Sequence, residues 1–357
     1  MAEMVSITLD GKGLQVQAGI TVKKALELGG YKVSKYPEPA SLFTPCETGG
    51  CWSCAVEVDG QPQRACVTSV GDGMNIRTVL PDSYLPRRIL TGFSGHQVGG
   101  VGTPWRLKSG GAYIEVACFA AGCNLRCPQC QNWDITYQSQ GNPMFPREAA
   151  ERMTEARHKF AVHRMAISGG ESTLNRKWLL EYIKELKKLN SDANARIHVD
   201  TNGSILTKDY IDELVEAGMT DVGADLKGFH LESFIRITGI RDKELAEIYH
   251  RTAWEAVRYL IKSYKERVFT GVGIPYNRKL ISIQEIGMMG EKLHQIDPEL
   301  QVCVLDYRPE FKRQDLIKPS YKEMVEIHRV LSGRGLKTVI CQTEYGHIGP
   351  SERGVCD

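Results

Sequence analysis

Apolar and polar residues alternate over 5–9 and again over 14–16, on either side of Asp10-Gly11-Lys12-Gly13. A period of two around such a turn predicts a β-hairpin. Helical spacing follows over 21–28, and a second hairpin is predicted from 55–58 and 64–67 with Asp59-Gly60 between them. Together these segments predict a small mixed module over 1–82. From 83 to 110 the periodicity is lost among Gly92, Gly95, Gly99, Gly100, Gly102, Gly110 and Gly111. Glycine loses the most freedom on ordering, so this stretch reads as a connector without regular structure, able to let the module dock or swing.

Beyond residue 110 the period switches repeatedly between two and 3.6. Strands are predicted near 113–117, 164–167, 197–200, 222–226, 268–274, 302–306 and 338–341, with helices over 147–160, 177–189, 208–217, 245–262, 282–294 and 321–331. Such alternation defines an α/β class built on a parallel sheet, either a partial or full (β/α) barrel of TIM type or a doubly wound open sheet. The barrel domain is expected over 111–345, with 346–357 as a tail.

Composition narrows the classes. Apolar content of 42% and charged content of 25% can fill and solvate a sizeable core, and a net charge of +2 offers no field for nucleic acid or an anionic membrane. No apolar run approaches the roughly 18 residues of a membrane span, and the first ten residues alternate instead of forming a signal-peptide core. The expectation is a cytoplasmic protein. In that reducing compartment eleven cysteines point to metal or redox chemistry rather than disulfides.

Cys46, Cys51 and Cys54 are spaced CxxxxCxxC, and Cys66 follows the second predicted hairpin. Four thiolates complete a two-iron cluster, and Gly49 and Gly50 let the backbone wrap it closely. A structural zinc site is the alternative, although zinc cysteines usually come as two separated pairs. Over about residues 3–80 the segment resembles the β-grasp 2Fe-2S ferredoxins. The short interval before Cys66 departs from the plant proteins toward the ferredoxin domains fused to succinate dehydrogenases and molybdenum hydroxylases.

Cys123, Cys127 and Cys130 form CxxxCxxC immediately after the first barrel strand. Three thiolates on a cubane leave one iron open to another ligand, and zinc with a distant fourth ligand is the other reading. Ser168-Gly169-Gly170-Glu171 ends the second predicted strand, Asp200-Thr201-Asn202-Gly203 the third and Asp225-Leu226-Lys227 the fourth. Singly, each is a turn, a cap or an ion pair. In succession they place polar groups at the carboxyl ends of neighbouring strands, where barrels assemble active sites.

With Ile274-Pro275-Tyr276-Asn277, these motifs make residues 112–345 resemble the radical S-adenosylmethionine (SAM) superfamily, in the branch that includes pyruvate formate-lyase activating enzymes. The resemblance implies a 4Fe-4S cluster on Cys123, Cys127 and Cys130. SAM would chelate its open iron and be cleaved reductively to methionine and a 5′-deoxyadenosyl radical. It further implies Gly169, Gly170 and Glu171 beside the methionine amine, Asp200 and Asn202 beside SAM, and Lys227 at its carboxylate. Asp225 would hold a cation or a hydrogen-bond network, and Trp133 would lie near the adenine. Ser172-Thr173 stands where the family usually has proline-threonine, and the two-cubane insertion of many glycyl-radical activases is absent.

The expected function is thus an oxygen-sensitive, oxidoreductase-type radical SAM enzyme of activating-enzyme type, with the 2Fe-2S cluster as electron relay from a donor such as ferredoxin or flavodoxin. Its substrate is either a partner protein that gains a glycyl radical or a small molecule or peptide modified directly. A two-cluster electron carrier without SAM chemistry is the rival class. Asp306, Tyr307, Arg308 and Glu310, and the stretch 342–347, are candidates for the substrate mouth. Cys118, Cys303 and Cys341 read as core residues, His163 and His198 as structural, and Cys356 as a tail residue.

Overall fold

In the N-terminal module, Val5, Ile7 and Leu9 point inward from β1 (Met4–Leu9), which pairs antiparallel with β2 (Lys12–Gln17). A computed structural model describes residues 3–108 and 112–350, so Gly110, Gly111 and Cys356 lie outside the described residues. Helix α1 (Val22–Leu28) starts where Thr21 Oγ1 accepts from the Lys24 amide at 3.2 Å, and it buries Val22, Ala25 and Leu26 on the sheet. Two short strands, β3 (Val33–Ser34) and β4 (Leu42–Phe43), pair beside it. Strands β5 (Ala55–Val58), β6 (Gln61–Arg64) and β7 (Asn75–Arg77) complete a mixed sheet ordered β2-β1-β7-β5-β6, with β1 and β7 parallel.

The second hairpin is tighter than the sequence reading placed it. Asp59 and Gly60 both take positive φ, 50° and 78°, which is the requirement of a two-residue hairpin turn, so β6 begins at Gln61 and not at Arg64. The chain then turns at 65–67 and delivers Cys66 to the module core.

The larger domain contains β8 (Leu90–His96), β9 (Glu115–Ala120), α2 (Trp133–Thr136), α3 (Pro146–Lys159), β10 (Arg164–Gly169), α4 (Arg176–Leu189), β11 (Arg196–Thr201) and α5 (Lys208–Ala217). It continues through β12 (Asp221–Asp225), α6 (Leu231–Thr238), α7 (Lys243–Tyr264), β13 (Phe269–Tyr276), α8 (Ile283–Ile296), β14 (Gln301–Asp306), α9 (Tyr321–Gly333), β15 (Thr338–Thr343) and β16 (Gly346–Ile348). Strands β9 to β15 run parallel in chain order, while β8 and β16 add antiparallel at the two edges and do not pair with each other. This is the partial form of the expected barrel. Its helices bury apolar faces against the sheet, with Trp178, Leu179, Tyr182 and Ile183 of α4 all essentially inaccessible. The tail expected from residue 346 begins instead as β16.

The connector differs from its composition. Residues 90–96 form β8, whose pairing shifts register at Gly92 and Ser94, and Gly92 sits at φ 94°, where its missing side chain allows the bulge. Residues 98–108 then run across the amino ends of the barrel strands. The Gly100 amide donates to Glu115 Oε1 at 2.8 Å, Arg164 donates to the Gly102 carbonyl at 3.1 Å, and Gln301 donates to the Val101 and Thr103 carbonyls at 3.0 and 2.9 Å. Lys108 donates to the carbonyls of Val98, Gly99 and Gly100. The connector is a plug, not a swinging tether. Composition misleads here because the glycines serve close packing: a side chain on Gly102 would strike His198 and the Val222–Gly223 peptide.

A buried charge network holds the same end. Arg164 pairs with Asp221 at 3.0 Å, and His198 lies between Glu115 (3.3 Å) and Asp200 (3.0 Å). Burial works against a charged ring, yet Asp200 and Glu115 outweigh it and raise His198 to about 10 from its ordinary 6.5. A raised pKa stabilises the fold fully below the unfolded value and loses that contribution as pH climbs through the folded value. The melting temperature is therefore expected to fall between pH 6.5 and about 10, and His198→Gln should flatten that slope. A profile of the same steepness in the variant would show that His198 is not its source.

Candidate functional site

The loop after β9 carries the three-cysteine motif over the carboxyl ends of the strands. Cys123 is buried and Cys127 and Cys130 are partly so. The Leu125 amide points at Cys123 Sγ (3.4 Å), and Thr136 Oγ1 lies 3.6 Å from Cys130 Sγ. Burial pushes the Cys127 thiol up to about 12 against the pull of nearby Lys227. Thiols held neutral in this way become ligands when a cation supplies the missing charge.

The three cysteines border a cavity of about 340 Å³, together with Gly169, Gly170, Asp200, Asn202, Asp225 and Lys227. Lys227 is 7% exposed and pairs with Asp225 at 3.1 Å, and that carboxylate outweighs burial to raise its pKa. A buried cation on the same cavity as the three cysteines would suit the carboxylate of SAM, and main-chain oxygens around Gly169 and Gly170 would suit its ammonium. The donor set therefore accommodates both groups.

Some expected residues stand elsewhere. Glu171 is buried, and its carboxylate accepts from the Thr173 amide and hydroxyl, the Thr201 hydroxyl and the Asn202 amide at 2.6–3.1 Å. It braces the β10 and β11 ends against each other and does not line the cavity. Trp133 stacks on Phe311 at 5.4 Å, donates to Glu310 and is 41% exposed, also outside the cavity lining. Arg308 is exposed. Gly169 and Gly170 lack side chains for packing reasons as well, since a Cβ on either would collide with the backbone of Ala120 or Gly122.

Other lining residues were not singled out as site residues. Lys108 and Val98 to Val101 of the plug form the floor, and Cys303 lines the cavity although its strand position reads as core. Tyr307, Gln342 and His347 line it as well, from the two stretches flagged as candidates for the substrate mouth. Asn124 donates to Ser204 Oγ (2.7 Å) and accepts from Asn202, which locks the cysteine loop to the end of β11. Only the inward parity of the strand positions could have signalled Cys303.

In the N-terminal module Cys46, Cys51, Cys54 and Cys66 are all buried, with 3.1 Å between Cys46 Sγ and Cys51 Sγ. Their loop bends through positive φ at Glu47, Gly49 and Trp52, which lets it wrap a small volume. Hydrogen bonds from Cys51 and Cys66 hold the Cys46 thiol well below its ordinary range, while Cys51, chiefly through burial, and Cys66, through its thiol neighbours, are driven up. Without a cation these thiols cannot ionise together, whereas a two-iron cluster binds all four as thiolates. The set fits that group.

Residues 118–281 match the radical SAM superfamily, and residues 2–81 match the 2Fe-2S iron-sulfur cluster binding domain. The chain thus joins a 2Fe-2S binding domain to a radical SAM domain, and its cofactors are a 2Fe-2S cluster, a 4Fe-4S cluster and SAM. It is similar to a probable GTP 3′,8-cyclase of Thermoplasma volcanium, 30% identical over 34% of this chain and 35% of that protein. It is also similar to the alpha subunit of the NADPH-Fe(3+) oxidoreductase of Geobacter sulfurreducens, 39% identical over 21% of this chain and 9% of that one. The chain spans about a third or less of the length of these relatives. Among solved structures, Streptococcus suis SuiB bound to S-adenosylmethionine has a TM-score of 0.49 and 12% identity, covering 65% of this chain and 51% of that one. Among the described residues no helix is long and apolar enough to cross a membrane.

Proposed function

We propose that the chain cleaves SAM reductively at a cubane held by Cys123, Cys127 and Cys130, and abstracts hydrogen from a substrate admitted at the carboxyl ends of the strands. A 2Fe-2S cluster on Cys46, Cys51, Cys54 and Cys66 relays the electron. The observation that carries this reading is the convergence of the three cysteines, Gly169, Gly170, Asp200, Asn202 and Lys227 on one cavity. When bound together, the cubane and SAM supply on one-electron reduction the 5′-deoxyadenosyl radical.

The chain's own residues bind and orient. Lys227, kept protonated by Asp225, supplies the counter-charge for the SAM carboxylate. Asp200, its position fixed by His198, and Asn202, fixed by Glu171, line the same cavity and would lie beside SAM. The plug closes the amino-terminal end of the barrel and keeps water from the cavity floor. Likeness to the activating enzymes in these motifs supports an activase as one form of the reaction, and direct modification of a small molecule or peptide is the other.

The test is to reconstitute the protein without oxygen, reduce it, add SAM and measure 5′-deoxyadenosine and the change in the cubane's paramagnetic resonance. A spectrum unmoved by SAM would favour a two-cluster electron carrier. A glycine-centred doublet on a co-purified protein would select the activase form. Lys227→Gln is expected to weaken SAM binding about tenfold or more, the worth of a charge-assisted hydrogen bond. Equilibrium binding to the reconstituted protein measures it, and unchanged affinity would remove Lys227 from the site.

A further inference from the structure

The two cysteine loops touch. Gly122, immediately before Cys123, takes φ 83°, and a Cβ there would lie 3.0 Å from the Cys51 amide, 3.1 Å from Cys46 Cβ and 3.3 Å from Cys46 Sγ. On the other loop, a Cβ on Gly50 would lie 2.7 Å from that of Ala121 and 2.8 Å from the Gln138 carbonyl. Cys46, Cys51 and Cys123 share one buried cluster with Leu125, Leu174 and Tyr249, whereas Cys54 and Cys66 belong to the core of the small module.

Polar contacts fix this seam. Asn175 donates to the Cys51 carbonyl at 3.1 Å, and Ser53 donates to the Leu174 carbonyl at 2.8 Å. Arg126 spans both loops: its guanidinium donates to the Cys46 carbonyl at 2.6 Å and to the Cys123 and Leu125 carbonyls at 2.7 and 2.9 Å. The fork therefore touches the main chain of one ligand from each set of cysteines. Its nearest carboxylate, that of Glu47, is 3.8 Å away and also pairs with Lys23 and Lys35.

Resting on the relay and the cluster ligands proposed above, we infer that these loops form one fixed inter-cluster junction. Gly122 sets the Cys46 edge of the two-iron site against the Cys123 edge of the cubane site, and Arg126 is the positioning residue that holds both. Thiolate-ligated clusters are anionic and gain negative charge on reduction, so electrons on the two sites repel in a medium of low dielectric. A guanidinium between them offsets that repulsion, which keeps the cubane reducible while its neighbour carries an electron. Arginine suits the position because its planar fork reaches carbonyls of both loops at once and stays charged.

The holoenzyme, fully reduced without oxygen, is expected to show magnetic interaction between the clusters, as splitting or accelerated relaxation of the 2Fe-2S resonance. That interaction should vanish in Cys127→Ala, which lacks the cubane. Resonances that add as two isolated clusters in the unmodified protein overturn the junction whatever any variant does. In Arg126→Gln with normal iron and sulfide content, the cubane potential should fall and freeze-quenched transfer from the reduced 2Fe-2S cluster should slow about tenfold, with Arg126→Lys restoring part of the potential. Unchanged potential and transfer overturn the role of Arg126. A Cys66→Ser protein lacking the 2Fe-2S cluster, yet forming 5′-deoxyadenosine at the normal rate from flavodoxin, would sink the relay while the magnetic interaction still upheld the junction.

Discussion

Cys127→Ala is expected to abolish SAM-dependent formation of 5′-deoxyadenosine while leaving the visible spectrum of the 2Fe-2S cluster in place. Cys127 stands midway in the proposed three-ligand set, near Lys227 and at the border of the cavity. Two thiolates cannot hold a cubane with a defined open iron, so the loss should be complete. The four cysteines of the other set all lie in the N-terminal module. Alanine at 127 removes a ligand without filling the cavity. Iron content, absorbance and product measured side by side decide the matter, and product at normal levels from a protein lacking the cubane would end the assignment.

Gly271→Ala is expected to destabilise the larger domain and release its plug. A methyl group there would lie 2.9 Å from the Val101 carbonyl carbon and inside contact distance of its oxygen. Neither neighbour is a flexible side chain. Overpacking of this kind costs about 1–3 kcal/mol, and the connector, bound to the barrel by Gln301, Arg164 and Glu115, would have to move away as a unit. We expect a lower melting temperature and new proteolytic cleavage within 97–108. Gly287→Ala is the control, because on α8 the added methyl meets only the Arg334 side chain at 3.4 Å or more and Val330, and alanine favours a helix by about 1 kcal/mol. A Gly271→Ala protein as stable and as protected as the parent would refute the plug.

Both predictions turn on residues of different legibility. Cys127 announces itself, since cysteine spacing is a local property and the chemistry of a cubane needs that number of ligands close together. The polar ends of β10, β11 and β12 were legible for a related reason, because parallel strands expose their carboxyl ends to one face. Gly271, by contrast, is one small residue in an apolar strand. Its role depends on Val101, far away in the chain, so no periodicity could disclose it.

The same distinction separates Glu171 from Lys227. Each is a charged residue in a motif at a strand end, and the resemblance to the radical SAM superfamily implies that both lie beside SAM. Tertiary structure turns Glu171 toward Thr201 and Asn202, where it satisfies their donors, and leaves Lys227 at the cavity. A carboxylate surrounded by unpaired amides and hydroxyls finds its partners there before any ligand arrives.

By itself the sequence determined the two sets of cysteines, the alternation that builds a small mixed module ahead of a parallel sheet, and the strand ends at which the chemistry gathers. Those features depend on residue type at short spacing, which the chain carries without folding. Only the tertiary structure decided that the glycine-rich connector is a plug with an edge strand, that Cys303 looks into the cavity, and that Gly122 and Arg126 bring the two cysteine loops into contact. Each of these joins groups distant along the chain, and packing in three dimensions selects them.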